Sequence, residues 1–392
     1  MIIGIAAPFT STSFRGYFSS CESSSMPVGM GGSPIVNLVE EYLRLGHKVH
    51  VFTLDHSVSD AYSYESDQLT ITFLPRRNRG RARDFMSREV RFLRNAIDNS
   101  QVSIVHAHWT YEYGLSVVGC SKPYVVTAHD APLNILKFSF SKYRLITFLI
   151  SFFVSIKSKD FNVVSPYIGS HFRKYFLRRR YSVVPNGLPD ERFEFSNGQG
   201  EINFVSSPNG FYGWKNVKNL ILAFNIFKDK HVGTQLILYG KDMGCNQIAQ
   251  QWCTDNNMSA GIRFVGELPH GEYIADLSKN NSIFVHSSLE ESFSMAIVEA
   301  GAIGKPIIAG YNSPGVVFTL GGGEFGMLCD MKDPLSIYDS MLKMYNNAEL
   351  RNKYTNAAFY SFRESFSIKN VAHRYLKIYE EILSREANLT RF

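Results

Sequence analysis

The stretch SIFVHSSLEESFSMAIVEAGAIGKPIIA, residues 282–309, shows the pattern that decides the fold of this chain. It opens with the apolar run Ser282–Val285, which is typical of a buried strand, and it ends with a second such run at Pro306–Ala309. Between them, small hydroxyl residues precede an apolar periodic segment, which predicts a helix that begins near Ser294. A strand, a helix and a second strand in this order predict two parallel strands joined by a crossover helix.

The same alternation of strand-like runs and helix-length segments continues along the whole chain. In the first half we predict strands at Ile2–Ala6, Lys48–Thr53, Leu69–Phe73, Ser103–Ala107, Tyr124–Thr127, Asp160–Val164 and Tyr181–Val184. In the second half we predict further strands at Ile202–Val205, Gln235–Tyr239 and Ile262–Val265. Helical spacing predicts a helix at Ile35–Leu45, which Gly46 ends. The predicted fold class is therefore α/β with parallel sheets, and 392 residues exceed the size of one ordinary core.

A cluster of turn-forming residues, Pro185–Asp190, marks the predicted boundary between two domains. The charge balance changes sign there: residues 1–190 carry 22 lysines and arginines against 14 acidic residues, and residues 191–392 carry 19 against 21. We predict an N-terminal domain at 1–184, a second domain at 185–365, and a C-terminal helix at 366–392 that crosses back to the first domain. Two such domains are expected to face a ligand cleft at the carboxyl ends of their strands.

Two carboxylates, Glu291 and Glu299, mark the candidate site in the quoted stretch. The free N–H groups and the dipole at a helix start suit a diphosphate. Eight residues of helix span at most about 12 Å, so one carboxylate can meet a sugar while the other accepts hydrogen bonds from a ribose. The alternative is an ordinary helix start with two surface carboxylates, and these two residues alone do not decide between the readings.

The segment Glu291–Ile308 closely resembles the donor-site motif of glycosyltransferase family four, whose members are retaining enzymes of the GT-B fold that use nucleotide sugars. Other segments resemble motifs of that family in the same order along the chain: Gly29–Gly32, Gly46–Val49, Ile104–Trp109, Val125–Asp130, Val184–Gly187 and Phe264–Pro269. The resemblance implies a GT-B fold of two Rossmann-like domains facing an inter-domain cleft, with acceptor binding in the first domain and donor binding in the second.

The resemblance also implies roles for single residues. Two would be catalytic, with His129 at the reaction centre and Glu291 at the donor sugar. The implied donor-binding residues are Gly31, Gly32, Lys215, Asn209, Ser292, Phe293, Ser294, Met295 and Glu299. Among these, Glu299 would bind the ribose and Lys215 would neutralise the diphosphate leaving group.

Two departures from the family pattern concern the phosphate end of this site. Asn209 lies in the stretch Ser206–Gly213, where many family members carry an arginine, and it brings hydrogen-bond donors but no charge. Ser292 and Ser294 stand where many members have glycines. The first departure removes an expected cation, and the second is the milder change.

The implied activity is a metal-independent, hexosyltransferase-type transfer that uses a nucleotide diphosphate sugar as its substrate and no cofactor. We expect a glycan or a polyprenyl diphosphate-linked acceptor, as in surface polysaccharide biosynthesis. Alternatives within the same fold are a non-catalytic protein that binds a sugar nucleotide or glycan, and a sugar-nucleotide epimerase.

His106 and His108 alternate on one strand and with His129 form an alternative metal site. The pair Gly29 and Gly31 leaves a dinucleotide-dependent oxidoreductase as a distant alternative.

The apolar and basic segments of the chain indicate in which cellular compartment it is expected. No secretory signal opens the sequence, and the five scattered cysteines are typical of reduced thiols, so we expect a cytoplasmic protein. The longest apolar run, Leu145–Ile156, is too short to span a bilayer and predicts a buried helix, with an interfacial membrane helix as the alternative. The basic clusters Arg76–Arg83 and Arg178–Arg180 favour anionic partners, or else form solvated loops. No recognised nucleic-acid module accompanies them. Peripheral contact with an anionic membrane is therefore a hypothesis.

Overall fold

The computed structural model describes residues 1–196 and 198–389, which divide into two compact units. The first unit comprises Met1–Gly187 together with the chain from Ile368 onward, and the second unit comprises Leu188–Ser367. Each division lies within three residues of the boundary expected from the sequence, at 184 and at 365.

The first unit is built on an eight-stranded sheet. Its strands are β1 (Ile2–Ala6), β2 (Lys48–Asp55), β3 (Tyr62–Glu65), β4 (Leu69–Pro75), β5 (Ile104–His108), β6 (Tyr124–Ala128), β7 (Phe161–Val163) and β8 (Ser182–Val183). Their order in the sheet is β3-β4-β2-β1-β5-β6-β7-β8. All pairs are parallel except β3 with β4, which form an antiparallel edge. Apolar strands that are buried on both faces are typical of parallel sheets covered by helices.

The helices of the first unit follow the strands in alternation. They are α1 (Ser20–Ser25), α2 (Ser33–Arg44), α3 (Ser87–Asp98), α4 (Glu112–Val117), α5 (Pro132–Phe138), α6 (Lys142–Lys157) and α7 (Pro166–Phe176). Helix α2 illustrates why these segments are helical, because its buried residues Ile35, Leu38, Val39 and Tyr42 recur at helical spacing. The predicted helix at this place is confirmed.

The second unit is built on a six-stranded parallel sheet. Its strands are β9 (Gln199–Ser206), β10 (Leu236–Tyr239), β11 (Ile262–Gly266), β12 (Asn280–His286), β13 (Ile307–Gly310) and β14 (Met327–Cys329), in the order β11-β10-β9-β12-β13-β14. Its helices are α8 (Val217–Lys228), α9 (Ile248–Asp255), α10 (His270–Lys279), α11 (Met295–Ala302), α12 (Pro314–Thr319), α13 (Pro334–Asn346) and α14 (Ala348–Phe366). The α/β class with two parallel-sheet domains is confirmed.

The C-terminal helix α15 (Ile368–Leu389) belongs to the first unit and is attached there by a buried hydrogen-bond chain. The hydroxyl of Tyr379 bonds to the hydroxyl of Tyr42 at 2.9 Å and to Nδ1 of His106 at 2.6 Å, and Nε2 of His106 bonds to the hydroxyl of Thr127 at 2.6 Å. Burial holds the pKa of both tyrosines well above, and that of His106 well below, the usual range. The chain therefore consists of neutral groups, and it links α15 to α2, β5 and β6.

The helix predicted to be buried at Leu145–Ile156 is only partly buried. The run does form α6, but the buried residues include the small polar side chains of Thr147, Ser151 and Ser155. The hydroxyl of Ser151 bonds to that of Thr110 at 2.8 Å, so this small-residue face packs closely against the unit. Five of its larger apolar residues are exposed, namely Leu145, Leu149, Phe152, Phe153 and Ile156, whereas Ile150 and Val154 are buried. No helix among the described residues is both long enough and apolar enough to cross a membrane.

Several arginines of the Arg-rich loop form ion pairs within the unit. Fewer of its positive charges are therefore free to bind an external anion than the sequence suggests. Arg77 contacts the buried carboxylate of Glu89 at 2.6 Å, and Arg81 contacts that of Glu112 at 2.9 Å. Arg76 lies 3.5 Å from the same Glu112 carboxylate. Removing these arginines would leave buried carboxylates unpaired, so their first role is structural.

We predict that Tyr379→Phe destabilises the protein by about 1–3 kcal/mol, because two buried partners then lose a hydrogen bond without a replacement. Urea unfolding followed by fluorescence measures the change. Tyr360→Phe is the matched control, since Tyr360 is 69% exposed and its substitution is expected to leave the unfolding midpoint unchanged. Equal midpoints for the two variants would contradict the role of this hydrogen-bond chain.

Candidate functional site

The central loop of the candidate site, residues 287–294, connects β12 to α11 in the second unit. Helix α11 begins at Met295, and the hydroxyl of its N-cap Ser294 accepts a hydrogen bond from the N–H of Ile297 at 3.4 Å. The helix start predicted near Ser294 is thereby confirmed. The loop lies at the carboxyl end of a parallel strand, which is where open α/β sheets bind their ligands.

This loop is held against a second loop that carries Lys215. The N–H of Leu289 donates to the carbonyl of Trp214 at 2.8 Å, and the hydroxyl of Ser287 donates to the carbonyl of Lys215 at 2.7 Å. Because β9 and β12 are adjacent and parallel, the loops that follow them emerge at the same edge of the sheet. The pairing of these strands thus brings Lys215 to the Glu291 loop.

The loop that leads into α12 supports the backbone of Glu291 from another side. The N–H of Glu291 donates to the hydroxyl of Ser313 at 2.9 Å. A Cβ placed on Gly315 would lie 2.1 Å from the carbonyl oxygen of Glu291 and 2.6 Å from that of Ser292. Only glycine permits this close approach of the two backbones. The position of Glu291 therefore depends on two residues that follow β13.

The carboxylate of Glu291 is the centre of a charged cluster. It lies 2.6 Å from the ammonium group of Lys215 and 3.5 Å from Nε2 of His286, and both Lys215 and Glu291 are largely shielded from solvent. Burial by itself raises the pKa of this carboxyl, but the Lys215 charge and the His286 contact outweigh it and hold the pKa at about 2. Glu291 is therefore an ionised carboxylate at neutral pH.

The second carboxylate, Glu299, lies on α11 and is only 8% exposed. One of its oxygens lies 2.9 Å from Nε2 of His270 at the start of α10. Nearby, the hydroxyl of Tyr273 donates to that of Ser207 at 3.1 Å, and burial raises the pKa of Tyr273 well above its usual range. Glu299 thus lies in a polar environment formed by His270, Tyr273 and Ser207.

The remaining predicted donor-site residues of the second unit surround the same sheet edge. Asn209 is exposed in the loop after β9. Ser292 and Met295 are partly buried, and Phe293 is 7% exposed, with its ring centroid 5.1 Å from that of Phe366. Phe293 therefore anchors the loop in the core, while Ser292 and Met295 stay partly accessible.

The glycines predicted at the donor diphosphate, Gly31 and Gly32, lie in the first unit before α2. The N–H of Gly31 donates to the hydroxyl of Thr10 at 3.0 Å, and a Cβ there would lie 2.5 Å from the Phe9 backbone. Glycine is required at residue 31 because two backbone segments of this unit meet there. Gly32 is the extended N-cap residue of α2.

His129 is 8% exposed and is fixed by two aromatic neighbours in the first unit. Its Nε2 lies 2.9 Å from Nδ1 of His108, and its ring stacks on that of Trp109 with 4.2 Å between centroids. Burial lowers the pKa of His129 to about 3, so the ring is neutral.

The alternative metal site at His106, His108 and His129 finds no support in this geometry. Both nitrogens of His106 bond to hydroxyls, and the other two rings bond to each other. Within the described ranges, no group of three or more histidine, cysteine, aspartate or glutamate side chains is arranged to hold a metal ion.

Sequence reasoning missed four residues that shape the site: His286, His270, Ser313 and Gly315. His286 closes β12 directly before the Glu291 loop, so its place at the carboxyl end of a predicted strand was a usable signal. The other three lie far from Glu291 or Glu299 in sequence, and only the fold brings them close.

Two sequence models of glycosyltransferases match the chain. Residues 33–192 match "Glycosyltransferase Family 4" and residues 190–360 match "Glycosyl transferases group 1". An uncharacterised glycosyltransferase of Methanocaldococcus jannaschii is 26% identical over 342 residues, which cover 85% of this chain and 90% of that protein. The phosphatidylinositol N-acetylglucosaminyltransferase gpi3 subunit of Schizosaccharomyces pombe is 23% identical, over 91% of this chain and 78% of its own.

Solved structures of low sequence identity share the fold. Sucrose-phosphate synthase of Thermosynechococcus elongatus superposes with a TM-score of 0.78 at 16% identity, covering 98% of this chain and all of that one. The HepE protein of Anabaena, in complex with UDP and glucose, superposes with a TM-score of 0.68 at 12% identity, covering 96% and 98% of the two chains. These likenesses confirm the GT-B fold, and with the two sequence models they show that the chain belongs to glycosyltransferase family four, of the group 1 type.

Proposed function

We propose that this protein transfers a sugar from a nucleotide diphosphate sugar to a glycan or polyprenyl diphosphate-linked acceptor, with retention at the anomeric carbon. The observation that carries the proposal is the Lys215–Glu291 ion pair at the carboxyl end of β12. This pair places a cation that would offset the charge of the leaving diphosphate beside a carboxylate that would bind the donor sugar. A role in surface polysaccharide biosynthesis is part of the proposal.

Lys215 is proposed to stabilise the leaving group. As the glycosidic bond of the donor breaks, negative charge develops on the diphosphate, and a preorganised cation offsets that charge best in a shielded site. Without donor, the ammonium is 2.6 Å from the Glu291 carboxylate. A bound diphosphate would therefore compete with Glu291 for this cation, and the N–H groups at the start of α11 would add to its binding.

Glu291 is proposed to act on the sugar as a fixed negative charge. A pKa of about 2 keeps its carboxylate ionised throughout the neutral range. It would accept hydrogen bonds from sugar hydroxyls and stabilise positive charge at the anomeric carbon. His129, neutral and held by His108, would contribute a polar contact to the same reaction centre. The acceptor would attack on the face from which the diphosphate leaves, and the departing phosphate would take its proton.

Glu299 is proposed to bind the ribose of the donor. Its buried carboxylate lies 2.9 Å from Nε2 of His270, and as an acceptor it would also receive hydrogen bonds from ribose hydroxyls. The neighbour crystallised with UDP and glucose, and a second HepE structure with UDP-glucose, support a nucleotide sugar as the donor class. We propose that no metal ion takes part, because Lys215 supplies the cation.

A non-catalytic member of the fold is the second candidate. Asn209 favours it, since this exposed amide adds no positive charge where many family members have an arginine. In that case Lys215 and Glu291 would hold a sugar nucleotide without turnover. A sugar-nucleotide epimerase would instead convert its donor in the absence of any acceptor.

We predict that one class of UDP-, GDP- or ADP-sugar raises the thermal unfolding midpoint of the protein. A ligand at 100 times its dissociation constant adds about 2.7 kcal/mol of stability, which is a readily measured shift. Glu299→Gln is expected to weaken donor binding about 10–100-fold, because the ribose loses a charged acceptor. Glu324→Gln, an exposed carboxylate in the same unit, is the control. No shift with any of these sugar nucleotides would contradict the proposal.

We predict that Glu291→Gln lowers the transfer rate at least about 100-fold while the thermal shift by donor remains, because the carboxylate acts mainly in the transition state. Radiolabelled donor and product chromatography measure transfer, and NMR of the product reports the anomeric configuration. Addition of EDTA is expected to leave the rate unchanged. Turnover that needs an added metal, or inversion of the product, would overturn the respective part of the mechanism.

We predict that Lys215→Met costs about 2–3 kcal/mol of stability at pH 7, because it leaves the shielded Glu291 charge without its cation. The folded pKa of about 2 lies below the ordinary value of 4.5. The stabilisation is therefore complete above about pH 4.5 and is lost as the pH falls towards 2. Urea unfolding at pH 7, 5 and 3 should show the wild type and the variant converging at low pH. Lys241→Met, an exposed lysine, serves as control, and a pH-independent difference would refute the assignment.

A further inference from the structure

Helix α6 carries an outward apolar face, formed by Leu145, Leu149, Phe152, Phe153 and Ile156. These side chains are between 37% and 52% exposed. Four of them, at residues 145, 149, 152 and 156, recur every three or four residues and so form one stripe along the helix. The opposite side is buried against the unit and carries three hydroxyl residues beside Ile150 and Val154, so most of the large apolar side chains of α6 lie on the exposed side.

This α6 face is the centre of a larger apolar surface. Of the 22 large apolar side chains that are exposed within the described chain, ten lie between Phe138 and Leu177. Phe140 is 74% exposed and Leu177 is 76% exposed. Single exposed apolar residues need no explanation, but a contiguous patch of this kind marks an interaction surface.

The segment that carries this surface is strongly basic. Residues 131–181 contain ten lysines and arginines against one acidic residue, Asp160, which is itself paired with Arg385. The exposed cations without an ion pair among the described contacts are Lys137, Lys142, Lys157, Arg173, Lys174, Arg179 and Arg180. The surface therefore combines apolar side chains with a high local density of positive charge.

Contacts between α6 and α7 place part of this charge beside the apolar face. The ring of Phe176 at the end of α7 lies 5.3 Å from that of Phe148 and 5.8 Å from that of Phe152, measured between centroids. The guanidinium of Arg178 donates to the carbonyls of Ser155 and Ser158 at the end of α6. Arg179 and Arg180 follow directly, so they lie at the C-terminal end of the α6 face.

We propose that the α6 face inserts into the surface of an anionic lipid bilayer, with the surrounding lysines and arginines on the lipid phosphates. Sixteen residues make a helix about 24 Å long, and its exposed face of large apolar side chains, opposite the face that packs on the unit, suits an orientation parallel to the membrane. A second copy of the chain is disfavoured as the occupant, because pairing through this face would bring two sets of cations together.

This inference deepens the proposed function in one respect: an acceptor linked to a polyprenyl diphosphate would be met at the membrane surface. That consequence rests on the proposed function, whereas lipid binding itself does not. Vesicle binding without donor therefore tests the surface, and the thermal shift by sugar nucleotides tests the donor site separately.

The experiment is flotation of the purified full chain with phosphatidylcholine vesicles, with and without about 30 mol% phosphatidylglycerol as the anionic lipid. We expect the wild type to float with the anionic vesicles and to be released by high salt. The triple variant Leu149→Ser, Phe153→Ser, Ile156→Ser should bind at least about tenfold more weakly, because three inserting side chains are lost. A second variant, Lys157→Gln, Arg179→Gln, Arg180→Gln, should lose the dependence on phosphatidylglycerol.

The matched control is Val232→Ser, Ile248→Ser, Leu335→Ser, which removes three exposed apolar side chains of the second unit and should float like the wild type. An unchanged thermal unfolding midpoint of each variant, measured without donor, shows that it is folded. Wild-type flotation by the α6 variant, or equal binding to neutral vesicles, would overturn the proposal. So would a dimer in light scattering that dissociates in the α6 variant, since the occupant would then be a second copy.

Discussion

The parallel pairing of β9 with β12 is the constraint on which the candidate donor site depends. In this pair Ile283 lies beside Phe204 and Phe284 beside Val205, and all four side chains are buried. Because parallel strands end at the same edge, the loop after β9 and the loop after β12 are delivered side by side. A slip in this register would move Lys215 relative to Glu291 and break their ion pair, in which Nζ and Oε1 are 2.6 Å apart.

The two units use burial in opposite ways to fix the charges of their polar groups. In the second unit, Glu291 stays ionised despite its shielding, because a lysine and a histidine contact the same carboxylate. In the first unit, His106, His108 and His129 have no such carboxylate contact among the described interactions, and burial keeps their rings neutral. The local environment, rather than the residue type, therefore decides that Glu291 is ionised and that the three imidazole rings are neutral.

Helix α6 shows how composition can mislead about orientation. Its sequence is apolar along most of its length, so a buried helix was the natural prediction. The packing surface of the unit accepts the small Thr147, Ser151 and Ser155 side chains together with Ile150 and Val154, which leaves most of the larger residues outside. When apolar residues lie on several sides of a helix, their spacing does not indicate which face is buried. The neighbouring elements alone decide which face packs against the unit.

The sequence by itself determined the α/β class, twelve of the fourteen described strands to within a few residues of each end, the start of α11 and the order of the family motifs, because these follow from local periodicity and turn chemistry. It missed β3 and β14, which lie at sheet edges; three of the four residues of β3 are exposed, so no apolar run marks that strand. Only the tertiary structure decided that Lys215 faces Glu291, that His270 reaches Glu299 and that Gly315 supports the Glu291 backbone. These contacts join residues far apart in sequence, and the order of strands in a sheet is set by packing rather than by any local segment.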